Sequence, residues 1–329
     1  MIKKHRKIPI KAVKLESLLR RLTFNYPNRQ RIEDELAMSL AGYRGQQSLD
    51  YYISFLDEQK YLILHDVRLH FKDNYYFQMD TVIVCSSFIV IAEVKNMLGE
   101  LYYDYAHHQL VRTLNEKVEG FEDPVLQVDR QRLQFKYWLQ KNKLPFIPIE
   151  PLVVNSNSSA ILKIDPQYQK FLQHVIRIPK FPFKIESIAN THKKECMNAT
   201  DLKKITRLLI SQHVPEDPNM IKKFNINRSE ILMGVQCPTC NKLPLQRQRG
   251  TWYCSSCKKG YKNAHLQAIK DYSMLIDDKI NNEKLRSILH LSSKSVASKM
   301  LVSLKFKQSG GRKNRTYILP KPHEWDETK

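Results

Sequence analysis

Asp80, Glu93 and Lys95 are the residues whose types and spacing point most directly to chemistry. They flank two apolar, β-branched runs, Thr81-Val82-Ile83-Val84 and Phe88-Ile89-Val90-Ile91, with Cys85-Ser86-Ser87 between them. Runs of this kind predict strands, and the short polar break predicts a tight turn. A two-residue turn at Ser86-Ser87 pairs Cys85 with Phe88, Val84 with Ile89 and Ile83 with Val90, and in that register Asp80 stands opposite Glu93. Lys95, two residues on, shares the face of Glu93. Carboxylates facing each other across a sheet repel, and in strands buried on both faces an unpaired charge is costly. A divalent cation between them relieves both costs and leaves the lysine placed to stabilise an anion. A longer turn keeps the grouping but shifts the pairs. A plainer alternative is a solvated hairpin end whose lysine pairs with one carboxylate.

Cys237-Pro238-Thr239-Cys240 and Cys254-Ser255-Ser256-Cys257 form the second chemical set, two C-x-x-C knuckles separated by thirteen residues. Each knuckle puts two thiolates on one turn, and the spacer allows a hairpin, with Trp252 and Tyr253 entering the second knuckle. Four thiolates complete a tetrahedral Zn²⁺ shell with no open position, so a structural ion in a Cys₄ zinc ribbon is expected. So small a module buries little apolar surface, and the metal should hold it folded. Disulfides are the alternative, but nothing in the chain suggests an oxidising compartment. Cys85 and Cys196 are isolated thiols.

Beyond the ribbon, residues 265–277 and 282–289 have helical periodicity. Ser292 or Ser293 is placed to cap a third helix with Val296, Ala297, Met300, Leu301 and Leu304 on its apolar face. A Gly310-Gly311 turn, the basic run Arg312-Lys313-Asn314-Arg315 and a strand at 316–319 follow. This order looks like a winged helix-turn-helix. Its third helix would present Lys294, Ser295, Ser298 and Lys299 to a major groove, and Arg312, Lys313 and Arg315 would contact phosphates. A small helical domain with a solvated basic loop is the alternative.

Charge agrees with a polyanionic partner. The 329 residues carry a formal +21, and residues 221–329 hold 22 Lys and Arg against 8 Asp and Glu, +14 of that total. Charge does not separate DNA from RNA; with the helix-turn-helix pattern double-stranded DNA is the expected partner, RNA is the other candidate, and a homodimer is compatible with either. No amphipathic anchor accompanies the charge, so a membrane surface is not expected. The basic start at 1–7 lacks the apolar core of a secretory signal, and the apolar stretch 81–92 is too short to span a bilayer. A cytoplasmic protein with reduced cysteines is expected.

The elements that must position these residues are a helix at 31–56, strands at 61–72, 75–84 and 88–96, edge structure at 101–114, a helix at 124–141 begun by Pro124, strands at 146–155 and 174–179, and a helix within 192–213. The predicted domains are a basic arm at 1–28 with a helix at 13–22, an α/β domain at 29–213, a linker at 214–230, the ribbon at 231–262 and the winged helix at 263–329.

Asp80 with Glu93-Val94-Lys95 resembles the PD-(D/E)xK nuclease signature, and the wider run resembles the nuclease-related domain, NERD. The matching pieces are Ala41-Gly42-Tyr43-Arg44-Gly45, Phe77-Gln78-Met79-Asp80, Ile91-Ala92-Glu93-Val94-Lys95-Asn96, Gly99 and Asp123-Pro124-Val125-Leu126-Gln127, over about residues 35–155. The resemblance implies an α/β restriction-endonuclease-like core, a mixed sheet flanked by helices. It implies Mg²⁺ or Mn²⁺ on Asp80, Glu93 and the Val94 carbonyl, hard oxygen donors suited to those ions. The ion would polarise a phosphodiester and acidify the attacking water. Lys95 would orient that water or stabilise developing charge, and Gln127 would hydrogen-bond to the site. One position departs: Gln46 follows Gly45 where the family has a Glu that contributes to the metal site. Gln46 keeps an oxygen acceptor and loses the charge, and Asp50 shares its helix face. The function implied is Mg²⁺-dependent DNA hydrolysis. The alternative is a non-catalytic DNA-binding or scaffold protein with a degenerate nuclease fold.

Overall fold

A computed structural model describes residues 2–311 and 314–325, with the backbone alone at 170–172. Arg312 and Lys313 of the basic run lie outside the described residues. The chain begins β1 (Ile2–Lys4), α1 (Ile10–Arg21), α2 (Arg29–Ile53), β2 (Leu62–His70), β3 (Tyr76–Val84) and β4 (Ile89–Lys95). It continues with β5 (Glu100–Asp104), β6 (Gln109–Leu114), β7 (Lys117–Glu122), α3 (Pro124–Lys141), β8 (Ile149–Asn155), β9 (Ile161–Ile164), β10 (Val175–Arg177), α4 (Phe181–Thr191) and α5 (Ala199–Ser211). It ends with α6 (Met220–Lys223), β11 (Gln246–Gln248), β12 (Thr251–Cys254), β13 (Lys259–Tyr261), α7 (Ala264–Leu275), β14 (Lys279–Ile280), α8 (Asn282–Leu289), α9 (Lys294–Ser303), β15 (Lys307–Ser309) and β16 (Thr316–Ile318). Two units form, residues 1–7 with 40–216 and residues 8–39 with 217–329, so the division falls within α2. No helix among the described residues is long and apolar enough to cross a membrane.

The first unit is a mixed α/β sheet flanked by helices, in the order β1-β2-β3-β4-β8-β10. The β3–β4 hairpin has the register expected from its two-residue turn: Val84 pairs with Ile89, Ile83 with Val90 and Thr81 with Ala92. The Cys85 N–H closes the turn on the Phe88 carbonyl at 3.1 Å. Side chains alternate between two cores. Val82, Val84, Ile89 and Ile91 pack with Val128 and Phe135 of α3. Ile83, Val90 and Ala92 pack with Leu49 of α2 and Phe181 and Ile185 of α4. α3 starts where the Asp123 carboxylate accepts the Val125 N–H at 2.8 Å and Pro124 fills the first turn. The edge structure expected at 101–114 is part of a separate four-stranded sheet, β7-β6-β5-β9. α4 is not among the elements expected from the sequence. Pro182 lies in its first turn, where the missing N–H is no loss.

In the second unit α1, the residues around α6 and the helices α7, α8 and α9 enclose two cores and two three-stranded sheets, β11-β12-β13 and β14-β16-β15. Residues 8–28, expected as part of a basic arm with a helix at 13–22, contribute α1 to this unit, and residues 217–230, expected as part of a linker, contribute α6. Leu15, Leu18 and Leu22 of the first segment bury against Met220, Phe224 and Ile226 of the second. Two basic residues of the first segment are used in its packing. The Arg21 Nε donates to Asp271 Oδ2 at 2.8 Å, and Arg20 donates to Oδ1 at 2.9 Å. Gln267 adds a third donor at 2.9 Å, and Asp271 is 1 % exposed. Asp271→Ala leaves Arg21 buried without its carboxylate, so a loss of about 3–5 kcal/mol is expected. Denaturant melts followed in this unit check it, and a loss below about 1 kcal/mol contradicts the assignment.

Candidate functional site

Asp80 and Glu93 lie side by side at the end of the hairpin, 7 % and 5 % exposed. The Val94 N–H donates to Asp80 Oδ2 at 2.9 Å, so Val94 meets Asp80 through its N–H. Lys95 Nζ donates to Glu93 Oε1 at 2.8 Å and to Gln127 Oε1 at 2.7 Å. Gln127 Nε2 returns a bond to Glu93 Oε1 at 2.7 Å, closing a triangle. Gln131, one helical turn further along α3, donates to Glu93 Oε2 at 3.0 Å. The lysine–carboxylate contact of the plainer alternative is thus present, but against a buried carboxylate rather than at a solvated end. Sequence reasoning missed Gln131, although its four-residue spacing from Gln127 was the available signal.

Burial, then the neighbouring Glu93 charge, raises the Asp80 carboxyl well above the usual carboxylate range; the Val94 N–H and Lys95 oppose this only in part. A folded carboxyl with a raised pKa holds its proton after the unfolded chain has lost it. The metal-free protein therefore loses stability as pH rises above about 4 towards the raised value. Asp80→Asn removes that loss. The variant is expected to match wild type near pH 4 and to exceed it by on the order of 1 kcal/mol or more at pH 8, in melts without added Mg²⁺ or Mn²⁺. No difference at pH 8 refutes this. The donor set fits a hard divalent cation: two carboxylates are held together where their charges oppose one another.

Gly45 lets α2 approach this end of the sheet. A Cβ there would clash with the Asn96 side chain and lie 2.8 Å from Ser156 Oγ. Asn96 Nδ2 in turn donates to the Ala41 carbonyl at 2.8 Å. Gln46 and Asp50 face Arg6, a residue the sequence did not single out. Arg6 donates to Gln46 Oε1 at 3.1 Å and to Asp50 Oδ1 at 3.5 Å. It also donates to His65 Nδ1 at 2.9 Å, which places the ring proton on Nε2. Burial, then the charges of Arg6 and Lys4, lowers His65 to about 3, so the ring is neutral.

The four knuckle cysteines converge, their sulfurs all within 4.8 Å of one another. Cys240 and Cys254 sulfurs are 3.5 Å apart, and those of Cys237 and Cys257 are 3.9 Å apart. A tetrahedron of thiolates about 2.3 Å from Zn²⁺ has sulfurs about 3.8 Å apart, so the cluster fits structural zinc. In α9, Ser293 caps the helix by accepting the Val296 N–H at 3.2 Å. Lys294, Ser295, Ser298 and Lys299 are exposed, as is Arg315 before β16. Ser298 Oγ already accepts Asn282 Nδ2 at 2.8 Å, which ties α9 to α8.

A mixed sheet with two buried carboxylates and a lysine at one end, backed by glutamines of a packed helix, defines an α/β domain with an acid–lysine site. Comparison with known families then gives its kind: residues 41–156 match the nuclease-related domain, NERD. The match includes Gln46, Asp80, Glu93, Lys95 and Gln127 and excludes Arg6 and the four knuckle cysteines. Searches of curated proteins and of solved structures found no match.

Proposed function

We propose that this chain is a metal-dependent nuclease that hydrolyses phosphodiester bonds of double-stranded DNA, placed on its substrate by a C-terminal zinc ribbon and winged helix. The observation that carries this is the Lys95–Gln127–Glu93 triangle beside buried Asp80. Asp80 and Glu93 would hold Mg²⁺ or Mn²⁺, with the Val94 carbonyl as the further ligand the resemblance implies. When bound, the ion supplies Lewis-acid polarisation of the phosphodiester and a more acidic water. Lys95 supplies a fixed positive charge for the pentacovalent transition state. Gln127 fixes the lysine's direction, and Gln131 keeps Glu93 oriented. The order α7, α8, α9 and then the β15–β16 hairpin supports the winged-helix reading. Lys294, Ser295, Ser298 and Lys299 would face the groove, and Arg312, Lys313 and Arg315 the phosphates. Tethering a binding module raises local substrate concentration without touching the chemistry.

A second reading, a non-catalytic DNA-binding or scaffold protein, is favoured by one observation. Gln46 brings no charge, and its amide oxygen is already bonded to Arg6. Cleavage of supercoiled and linear DNA by the zinc-loaded protein with Mg²⁺ or Mn²⁺, beside Asp80→Ala and Lys95→Ala, decides between them. Metal-dependent cutting lost in both variants supports the nuclease. Salt-sensitive DNA binding without cutting supports the second reading.

A further inference from the structure

Arg6 lies outside the matched nuclease-related region, yet its side chain is only 3 % exposed. Its guanidinium gathers groups from three elements. Beyond Gln46, Asp50 and His65, it reaches Thr81 Oγ1 at 3.4 Å and lies 3.7 Å from Asp66 Oδ1. Asp66 is left out of the β2–β3 pairing, between the His65–Thr81 and Val67–Met79 pairs. Its backbone is left-handed, with φ 50°, a conformation that costs free energy in a residue with a side chain. His65 is 1 % exposed, and its Nε2 has no hydrogen-bond partner among the described residues while lying 3.7 Å from Asp50 Oδ1. Two carboxylates, an amide oxygen and a neutral imidazole make a donor set that suits a divalent ion such as Mn²⁺. A tethered guanidinium is there instead, permanently charged whatever the cation concentration.

We propose that Arg6 is a built-in cation. It fills an acidic pocket formed by Asp50, Asp66, Gln46 and His65 that would otherwise take a second divalent ion, and so limits the first unit to one such ion. The stoichiometry rests on the reading of Asp80 and Glu93 as the first cation site. Without Arg6 the Asp50 carboxylate would lose its cation, and Asp66 would keep only the charge of Lys4, whose Nζ is held by the His65 and Asp66 carbonyls at 2.8 and 3.0 Å. Buried or half-buried charges without a full counter-charge are costly, so the pocket would recruit a cation from solution.

Electron paramagnetic resonance of bound Mn²⁺ on the full-length, zinc-loaded protein tests this. Wild type is expected to bind one Mn²⁺, Arg6→Gln two, and Arg6→Lys one. Arg6→Gln combined with Asp66→Asn should return to one. An Arg6→Gln protein that gains no ion overturns the proposal. Failure of the Asp80–Glu93 reading shows differently, as no ion in wild type, and a gained ion in Arg6→Gln would still support the pocket. Should Arg6→Gln not fold, Asp66→Asn in the native chain decides. With Arg6 as the partner of Asp66, Mn²⁺ affinity should stay close to wild type. A loss of about tenfold or more, of the size expected for a residue that supports a bound metal, would make Asp66 part of the existing ion's site and overturn the proposal.

Discussion

Lys95→Ala is expected to lower the single-turnover rate of Mg²⁺-dependent DNA cleavage by about 10²–10³-fold while the protein stays folded. Lys95 Nζ has a fixed place, between Glu93 Oε1 at 2.8 Å and Gln127 Oε1 at 2.7 Å. Its side chain keeps 25 % of its surface open, enough to meet a phosphate. The variant removes a positive charge where negative charge builds up in the reaction. It leaves Glu93 two donors, Gln127 and Gln131, so the loss should fall on the rate and not on the fold. Lys95→Arg should not restore activity, because a planar fork cannot replace a point charge seated between two oxygens. Unchanged cleavage in Lys95→Ala would remove the lysine from the mechanism.

Loss of zinc is expected to have the largest effect on structure. Cys254→Ser, or strong chelation, should unfold β11, β12 and β13, since structural zinc contributes on the order of 10 kcal/mol to such modules. Cys254 is fully buried, and its neighbour Trp252 is 1 % exposed. Trp252 shares a core with Val235, Leu245 and Ile269, so the disruption should reach α7. A red shift of tryptophan emission together with loss of bound zinc would report it, with Cys196→Ser as a control that changes neither. A Cys254→Ser protein that keeps native emission without zinc would show that the core stands by itself.

The site was legible where its physics is local. The hairpin register follows from a period of two and a short turn, so spacing is enough to group Asp80, Glu93 and Lys95. Pro124 marks the start of α3, and the Ser292-Ser293 pair marks that of α9, because a proline's fixed φ and a serine cap both act within the first turn. The two C-x-x-C knuckles identify their own metal chemistry for the same reason.

Other features were decided by contacts between distant parts of the chain. Pro182 starts α4 because a core is there for Phe181 and Ile185 to enter. Arg21 is joined to Asp271 across 250 positions and Arg6 to Thr81 across 75. In a chain with 54 basic and 33 acidic residues, spacing cannot say which arginine meets which carboxylate. That choice depends on which groups burial removes from water together, since only there does an unpaired charge cost enough to select its partner. The sequence alone therefore determined the β3–β4 hairpin, the starts of α3 and α9, the cysteine knuckles and the acid–lysine grouping. The tertiary structure alone decided that Gln131 would hold Glu93 and that Arg6 would sit among Gln46, Asp50 and Asp66.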